Sequence, residues 1–195
     1  MYGWMVDYFF NGYESFNLEA GKIMLAPYLN DPACFTKKRL SIQKRLEGIK
    51  SLVPGTLAPD FKFSGTDGNM TSFHGFSTNA KFKLVLFWSA DCEHCMEMVD
   101  KLYPWQQKEE IKPLIEVFAI SLDEGKTEMP KWEVAKQRLK NWRHILANGG
   151  VNSTEANAYF VLSTPVMVLV DSKTNKIIGI PDSFNKLVKL VKKGM

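Results

Sequence analysis

The sequence lacks any apolar run close to the roughly 20 residues that a membrane-spanning helix needs. It also lacks a strong charge of one sign, because the net charge is only +4 and the lysines are scattered. The densest lysine cluster, at residues 186–193, has the spacing of a solvated face on a terminal helix. We therefore expect no membrane span in this chain and no nucleic-acid partner.

The beginning of the chain lacks the features of a signal peptide. No basic segment precedes its first apolar residues, and Asp7 interrupts them. We expect that an export signal was either removed already or never existed.

Cysteine is scarce, which narrows the possible chemistry. The three cysteines, Cys34, Cys92 and Cys95, cannot all pair with one another. Structural zinc sites also use a C-x-x-C, but they need two further ligands at matching spacing, and the sequence has no second C-x-x-C or C-x-x-H. We therefore expect no metal site and predict redox chemistry at Cys92 and Cys95, with an inert disulfide as the alternative. Cys34 has no partner motif and is predicted to be a spectator.

The chain is long enough for one full domain and an appendage. Residues 1–53 are rich in aromatic residues and then in helix formers, which predicts two or three helices. So many aromatic side chains need a surface to cover, so this segment could be the end of a larger upstream region. A Pro-Gly-Thr stretch at 54–56 then interrupts the helical pattern. We expect a helical N-terminal extension at 1–53 and a domain at 54–195.

The first part of the domain predicts strands. Residues 58–63 alternate apolar and polar side chains, and an Asp-Gly turn signal at 66–69 joins them to residues 70–73. This pattern predicts a β-hairpin laid beside the main sheet. Residues 82–88 are almost continuously apolar, which is typical of a central strand covered on both faces.

The remaining pattern alternates helices and strands. Apolar residues recur at helical spacing after Cys95 until Pro104, and residues 114–121 predict a second buried strand. Residues 129–140 predict a helix with a break near Asn141, beyond which both helix and extended chain fit. Later segments predict a short helix at 153–159, strands at 166–170 and 176–180, and a terminal helix near 183–193. This order predicts an α/β fold with a mixed central sheet and helices on both faces.

A C-x-x-C between a strand and a helix divides the chemistry between its two sulfurs. Cys92 meets the unpaired amides and the positive end of the helix, which favour its thiolate and make it the expected nucleophile. Cys95 lies one helical turn later and can attack the mixed disulfide that Cys92 forms. Of the residues between them, His94 could donate to the Cys92 sulfur and Glu93 would repel its charge, so both are expected to tune the redox potential.

Three stretches resemble the TlpA/ResA-like branch of the thioredoxin superfamily, which is related to the AhpC/TSA proteins. They are Ala-Pro-Asp-Phe at 58–61, the strand and cysteine motif at 85–95, and Ser-Thr-Pro at 163–165. The resemblance covers residues 54–195. It implies a thioredoxin-like fold and a thiol-disulfide oxidoreductase that needs no cofactor. Its expected partners are protein thiols or disulfides as substrates, and a redox partner protein.

The resemblance also carries over three substrate-binding residues. In the family a proline in cis faces the cysteine pair and helps to hold extended substrate peptide, which implies this role for Pro165 and, before it, Thr164. Trp88 matches the family tryptophan beside the active site, although a large core residue fits that position equally well.

The sequence departs from the family at the carboxylates that handle protons. The buried acid of thioredoxin falls on Leu86, and the ResA-type glutamate falls on Met98. Glu97 is one position off, so it points about a quarter-turn away and is expected to be a solvated helix residue. We therefore expect water to take the proton from Cys95.

Two alternative functions remain open. A peroxidase of this fold has a proline seven residues and a Thr or Ser three residues before its reactive cysteine; Ser89 fits and Val85 does not. A non-catalytic binding module, docking through the aromatic N-terminal helices, is the second alternative.

Bacterial proteins of this branch usually work outside the cytoplasm, which implies a periplasmic or envelope-associated location. The direction of electron flow stays open.

Overall fold

The computed structural model describes residues 2–16, 18–29, 31–36, 38–65 and 68–194. It divides into two compact units, Met1–Leu52 and Val53–Met195, each with its own buried core. Among the helices described, none is both long enough and apolar enough to cross a membrane.

The N-terminal unit is helical, as predicted. Its described residues form α1 (Tyr2–Ser15), α2 (Glu19–Met24), α3 (Ala26–Leu29) and α4 (Arg39–Ser51). These four helices exceed the two or three predicted, because Pro27 has no N–H to continue the hydrogen bonds of α2. The core of the unit consists of Val6, Phe10, Leu25, Leu29, Cys34, Ile42 and Leu46.

The second unit begins with the predicted β-hairpin. Its strands, β1 (Lys62–Ser64) and β2 (Met70–Ser72), pair antiparallel as a separate two-stranded sheet. The expected turn lies partly outside the described residues, which exclude Thr66 and Asp67. Its Gly68 has a positive φ of 79°, a conformation that glycine adopts without steric cost.

The first hairpin strand is shorter than the alternation at 58–63 predicts. Pro59 has no N–H to donate to a ladder. The Asp60 carboxylate accepts hydrogen bonds from the backbone N–H of Phe61 at 3.0 Å and of His74 at 2.9 Å. Residues 58–61 are held by these side-chain bonds and by single backbone bonds, from the Ala58 N–H to the Asn175 carbonyl and from the Phe73 N–H to the Phe61 carbonyl.

The main sheet has five strands in the order β5-β4-β3-β6-β7. The strands are β3 (Phe82–Trp88), β4 (Ile115–Ser121), β5 (Arg143–Leu146), β6 (Val166–Asp171) and β7 (Ile177–Gly179). β4 pairs parallel with β3 and β5, whereas β6 pairs antiparallel with β3 and β7. Every residue of β3 is buried, which confirms that it is a central strand covered on both faces.

Four helices complete this unit: α5 (Glu93–Gln106), α6 (Gly125–Arg138), α7 (Thr154–Ala158) and α8 (Phe184–Gly194). One face of the sheet packs in a single core cluster with buried residues of α5, α6 and α8. The hairpin and Tyr159, the residue after α7, cover the other face through aromatic contacts with Phe87 and Phe118. The mixed sheet with structure on both faces agrees with the predicted thioredoxin-like fold.

Three boundaries differ from the sequence prediction. α5 does not end at Pro104, since a proline there removes one hydrogen bond while its φ still suits a helix. α6 begins at Gly125, before the predicted range, because the Glu128 carboxylate accepts from the Glu124 N–H at 2.5 Å and closes the first turn. The ambiguous segment after Asn141 is extended and forms the edge strand β5.

Candidate active site

The end of β3 and the start of α5 place Cys92. The chain leaves β3 at Trp88, turns, and begins the helix at Glu93, so that Cys92 is the helix N-cap with extended backbone (φ −95°, ψ 114°). Its Sγ accepts a hydrogen bond from the backbone N–H of Cys95 at 3.3 Å. That N–H is one of the amides that a helix leaves unpaired in its first turn. The Cys92 sulfur therefore lies at the positive end of the α5 dipole.

The two cysteines differ in exposure. Both are free thiols, but Cys92 is partly exposed whereas Cys95 has no exposed surface. Burial, followed by the neighbouring Cys92 thiol, raises the pKa of Cys95 well above its usual range. Hydrogen bonds from the Thr164 side chain and the Ser89 backbone lower that pKa, but they do not offset the burial. Cys95 therefore stays a thiol at neutral pH.

The segment before β6 approaches the cysteine pair. The Thr164–Pro165 peptide bond is cis, and both residues are half-buried. The Cys92 Sγ lies 3.8 Å from the Thr164 carbonyl oxygen, within the range of a weak S–H···O hydrogen bond. Since the Thr164 side chain also hydrogen-bonds to Cys95, Thr164 contacts both sulfurs.

No protein-family model matches the sequence, and a search among curated proteins finds no match. Solved structures do match. The thioredoxin domain of a thiol-disulfide oxidoreductase from Bacteroides vulgatus is 24% identical, with 74% of this chain and 99% of that chain covered and a TM-score of 0.57. A thiol:disulfide interchange protein from a Bacteroides species is 26% identical, with coverages of 73% and 90% and a TM-score of 0.57.

The chain is a member of the thioredoxin superfamily.

A further match extends over more of the chain. A thioredoxin-like protein from Bacteroides caccae has a TM-score of 0.64 and covers 91% of this chain, while this chain covers 61% of that protein. At 16% identity it supports the fold alone.

Three other residues were assigned to the site from the sequence: Trp88, Glu93 and His94. Trp88 has no exposed surface and packs in the same core cluster as Cys95. This placement agrees with the interpretation of Trp88 as a large core residue, and its role in substrate binding stays a prediction. Glu93 and His94 are both exposed on the first turn of α5, and their effect on redox potential stays a prediction.

One residue beside the cysteine pair, Asp123, was not predicted from the sequence. It follows β4, is only 2% exposed, and accepts hydrogen bonds from the hydroxyls of Ser89 and Ser121, each at 2.6 Å. The backbone N–H of Ala90 lies 3.0 Å from each of its carboxylate oxygens. A usable signal was present in the sequence: a Ser-x-Asp follows the second buried strand, and adjacent parallel strands end at the same sheet edge.

Two grooves flank the cysteine motif. One, of about 490 Å³, is lined by Ala90, Met96, Pro130, Lys131, Val134, Ala135 and Arg138. The other, of about 290 Å³, is more polar and is lined by residues of α5, from His94 to Lys101, and residues 182–185. An ion pair between Lys131 and Asp91 lies at the edge of the first groove. Both grooves lie next to the residues that precede or separate the two cysteines.

Cys34 is buried in the core of the N-terminal unit. Within the described part of the chain, no group of three or more His, Cys, Asp or Glu side chains is placed to hold a metal ion.

Proposed function

We propose that the protein is a thiol-disulfide oxidoreductase that exchanges disulfides with protein substrates through Cys92 and Cys95. The observation that carries this proposal is the contrast between the two sulfurs. Cys92 is partly exposed at the start of α5, and buried Cys95 donates its backbone N–H to the Cys92 sulfur at 3.3 Å. The likeness of the fold to thiol-disulfide oxidoreductases supports the same class of reaction.

In the first step the Cys92 thiolate attacks one sulfur of a substrate disulfide. A bond forms between Cys92 and that sulfur, the substrate S–S bond breaks, and the second substrate sulfur leaves as a thiolate. The amides at the start of α5 stabilise the thiolate before attack.

In the second step Cys95 loses its proton to water and attacks the Cys92 sulfur. The Cys92–Cys95 disulfide forms, and the bound substrate sulfur leaves as a thiolate, so the substrate gains two electrons and the protein loses two. Substrate oxidation is the reverse of these steps. A redox partner protein then restores the starting state of the cysteine pair.

The substrate surface is proposed to be the segment at Thr164 and Pro165. Both residues are partly exposed, and the Thr164 carbonyl lies beside the Cys92 sulfur, so a polypeptide that reaches Cys92 would meet them. Glu93 and His94 are proposed to tune the redox potential from the exposed first turn of α5. By family resemblance we place the protein outside the bacterial cytoplasm, in the periplasm or associated with the envelope.

Ser89 bears on the peroxidase alternative. In a peroxidase this hydroxyl would help to bind peroxide beside the reactive sulfur, whereas here it donates to the Asp123 carboxylate at 2.6 Å. Val85, where the peroxidase signature has proline, is a buried residue of β3. These two observations favour disulfide exchange over peroxide reduction.

The experiment is insulin disulfide reduction with dithiothreitol as electron donor. We expect the wild-type protein to accelerate it and Cys92→Ser to abolish the acceleration. Mixed with insulin in the absence of dithiothreitol, reduced Cys95→Ser should attack once and accumulate as a mixed disulfide with insulin, because no second thiol is available to release it.

The matched control is Cys34→Ser, which removes a buried cysteine of the other unit and should leave exchange intact. Normal turnover by Cys95→Ser, or full activity of Cys92→Ser, would contradict the proposed roles.

A further inference from the structure

A buried carboxylate joins the ends of two parallel strands beside the active site. Asp123, which follows β4, binds Ser89 and Ala90, which follow β3, through the Ser89 hydroxyl at 2.6 Å and the Ala90 N–H at 3.0 Å. On its own side it accepts from the Ser121 hydroxyl at 2.6 Å. A carboxylate this deeply buried is tolerated only when several donors bond to it. Because these donors share one carboxylate, each bond limits how far the other donors can move.

The segment that Asp123 holds is in turn bonded to both cysteines. The Ser89 carbonyl accepts from the Cys92 N–H at 3.3 Å, and the Ser89 backbone also hydrogen-bonds to the Cys95 sulfur. The Ser89 hydroxyl accepts from the Asp91 N–H at 3.1 Å. The position of Ser89 therefore sets where Cys92 enters the helix and which backbone group lies beside the Cys95 sulfur.

We propose that Asp123 is a positioning residue for the cysteine pair. It acts through Ser89 and Ala90, holding residues 89–91 so that the Cys92 sulfur stays at the start of α5. This inference rests on the proposed exchange function and assigns to Asp123 the control of reactivity at that same site.

Loss of the Asp123 carboxylate should lower the reactivity of Cys92. Without it the 89–91 segment loosens and the Cys92 sulfur is held less closely at the helix amides. Those amides stabilise the Cys92 thiolate, and with it the reduced form of the cysteine pair. Without the carboxylate, attack by Cys92 should therefore slow, and the equilibrium should shift toward the Cys92–Cys95 disulfide.

The test uses Asp123→Asn, which keeps the shape but turns a carboxylate oxygen that faces donors into an NH₂ group. We expect alkylation of reduced Cys92 by iodoacetamide near neutral pH to slow about tenfold, from the usual cost of a broken buried hydrogen bond. We also expect the equilibrium with glutathione to shift toward the Cys92–Cys95 disulfide. Ser89→Ala removes one of the bonds and should shift both quantities in the same direction by less.

The matched control is Tyr159→Phe. Tyr159 is also buried and donates to the Pro59 carbonyl at 2.8 Å, but it packs on the other face of the sheet. This variant should lower thermal stability while leaving the alkylation rate and the glutathione equilibrium within about twofold of wild type, since its bond does not hold the 89–91 segment.

A folded Asp123→Asn protein with both quantities within about twofold of wild type would overturn the inference, and so would equal shifts in Tyr159→Phe. If Asp123→Asn does not fold, unchanged values in Ser89→Ala would overturn it. Failure of the wild-type protein in the insulin assay would instead refute the exchange function, because the alkylation rate does not depend on a protein substrate.

Discussion

Cys92 and Cys95 are separated by a single helical turn, but their surroundings differ in burial. Cys92 is open to solvent at the N-cap of α5, whereas Cys95 lies in the core cluster with Val99 and Leu102. Burial raises the pKa of Cys95, so its thiolate is scarce at neutral pH. The rate of the second step should therefore keep rising with pH beyond the range in which an exposed thiol is already fully ionised.

This dependence can be measured directly. Cys92 is loaded with thionitrobenzoate as a mixed disulfide, and attack by Cys95 releases the coloured thiolate. Since the Cys95 pKa is raised, the Cys95 thiolate fraction and the release rate should grow about tenfold per pH unit between about pH 6 and pH 8. Cys95→Ser should release nothing. A rate independent of pH above about 7 would contradict the buried state of Cys95.

The candidate site was only partly predictable from single residues. The cysteines and the Thr-Pro pair belong to local motifs, so their pattern is visible in the sequence. Asp123 belongs to no such motif, because it reaches Ser89 only after β3 and β4 pair side by side. Trp88 could not be assigned in advance, since an apolar side chain beside a site reads the same whether it is exposed or buried.

At the scale of elements, strongly patterned segments were predicted well and weakly patterned ones were not. β3 and β4 are buried along almost their whole length, so their apolar runs identify them. β5 is a short edge strand with one fully buried residue, Ile145, and such a strand gives no clear period of two. β1 is shortened by Pro59 and by side-chain hydrogen bonds, which the alternation of apolar residues does not reveal.

α7 offers a test of local helix stability in the second unit. Ser153 is its N-cap, is buried, and accepts from the Ala156 N–H at 3.1 Å. Ser153→Ala should lower the free energy of unfolding by about 1 kcal/mol, measured by urea denaturation. Ser153→Asp keeps a capping oxygen and should recover most of that loss. Equal stability of the alanine variant and wild type would show that this cap contributes nothing.

At the scale of the whole molecule, the compact units divide between Leu52 and Val53. The matches from Bacteroides vulgatus and a Bacteroides species are covered over 99% and 90% of their chains, by 74% and 73% of this one. The thioredoxin-like part thus corresponds to nearly all of each of those chains. We propose that residues 54–195 form the catalytic domain and residues 1–53 a helical extension. That extension leaves aromatic side chains exposed, including Trp4, Tyr8 and Phe35.

The central claim is that Cys92 and Cys95 form a reversible two-electron redox couple. A redox titration tests it: the protein is equilibrated in glutathione or dithiothreitol buffers, alkylated, and the modified cysteines are identified by mass spectrometry. We predict one transition in which Cys92 and Cys95 lose their labels together, with a tenfold change in the ratio for about every 30 mV. A midpoint near about −270 mV would assign a reductant and one near about −120 mV an oxidant. Both cysteines labelled at every potential, or pairing of Cys34 with either one, would contradict the account.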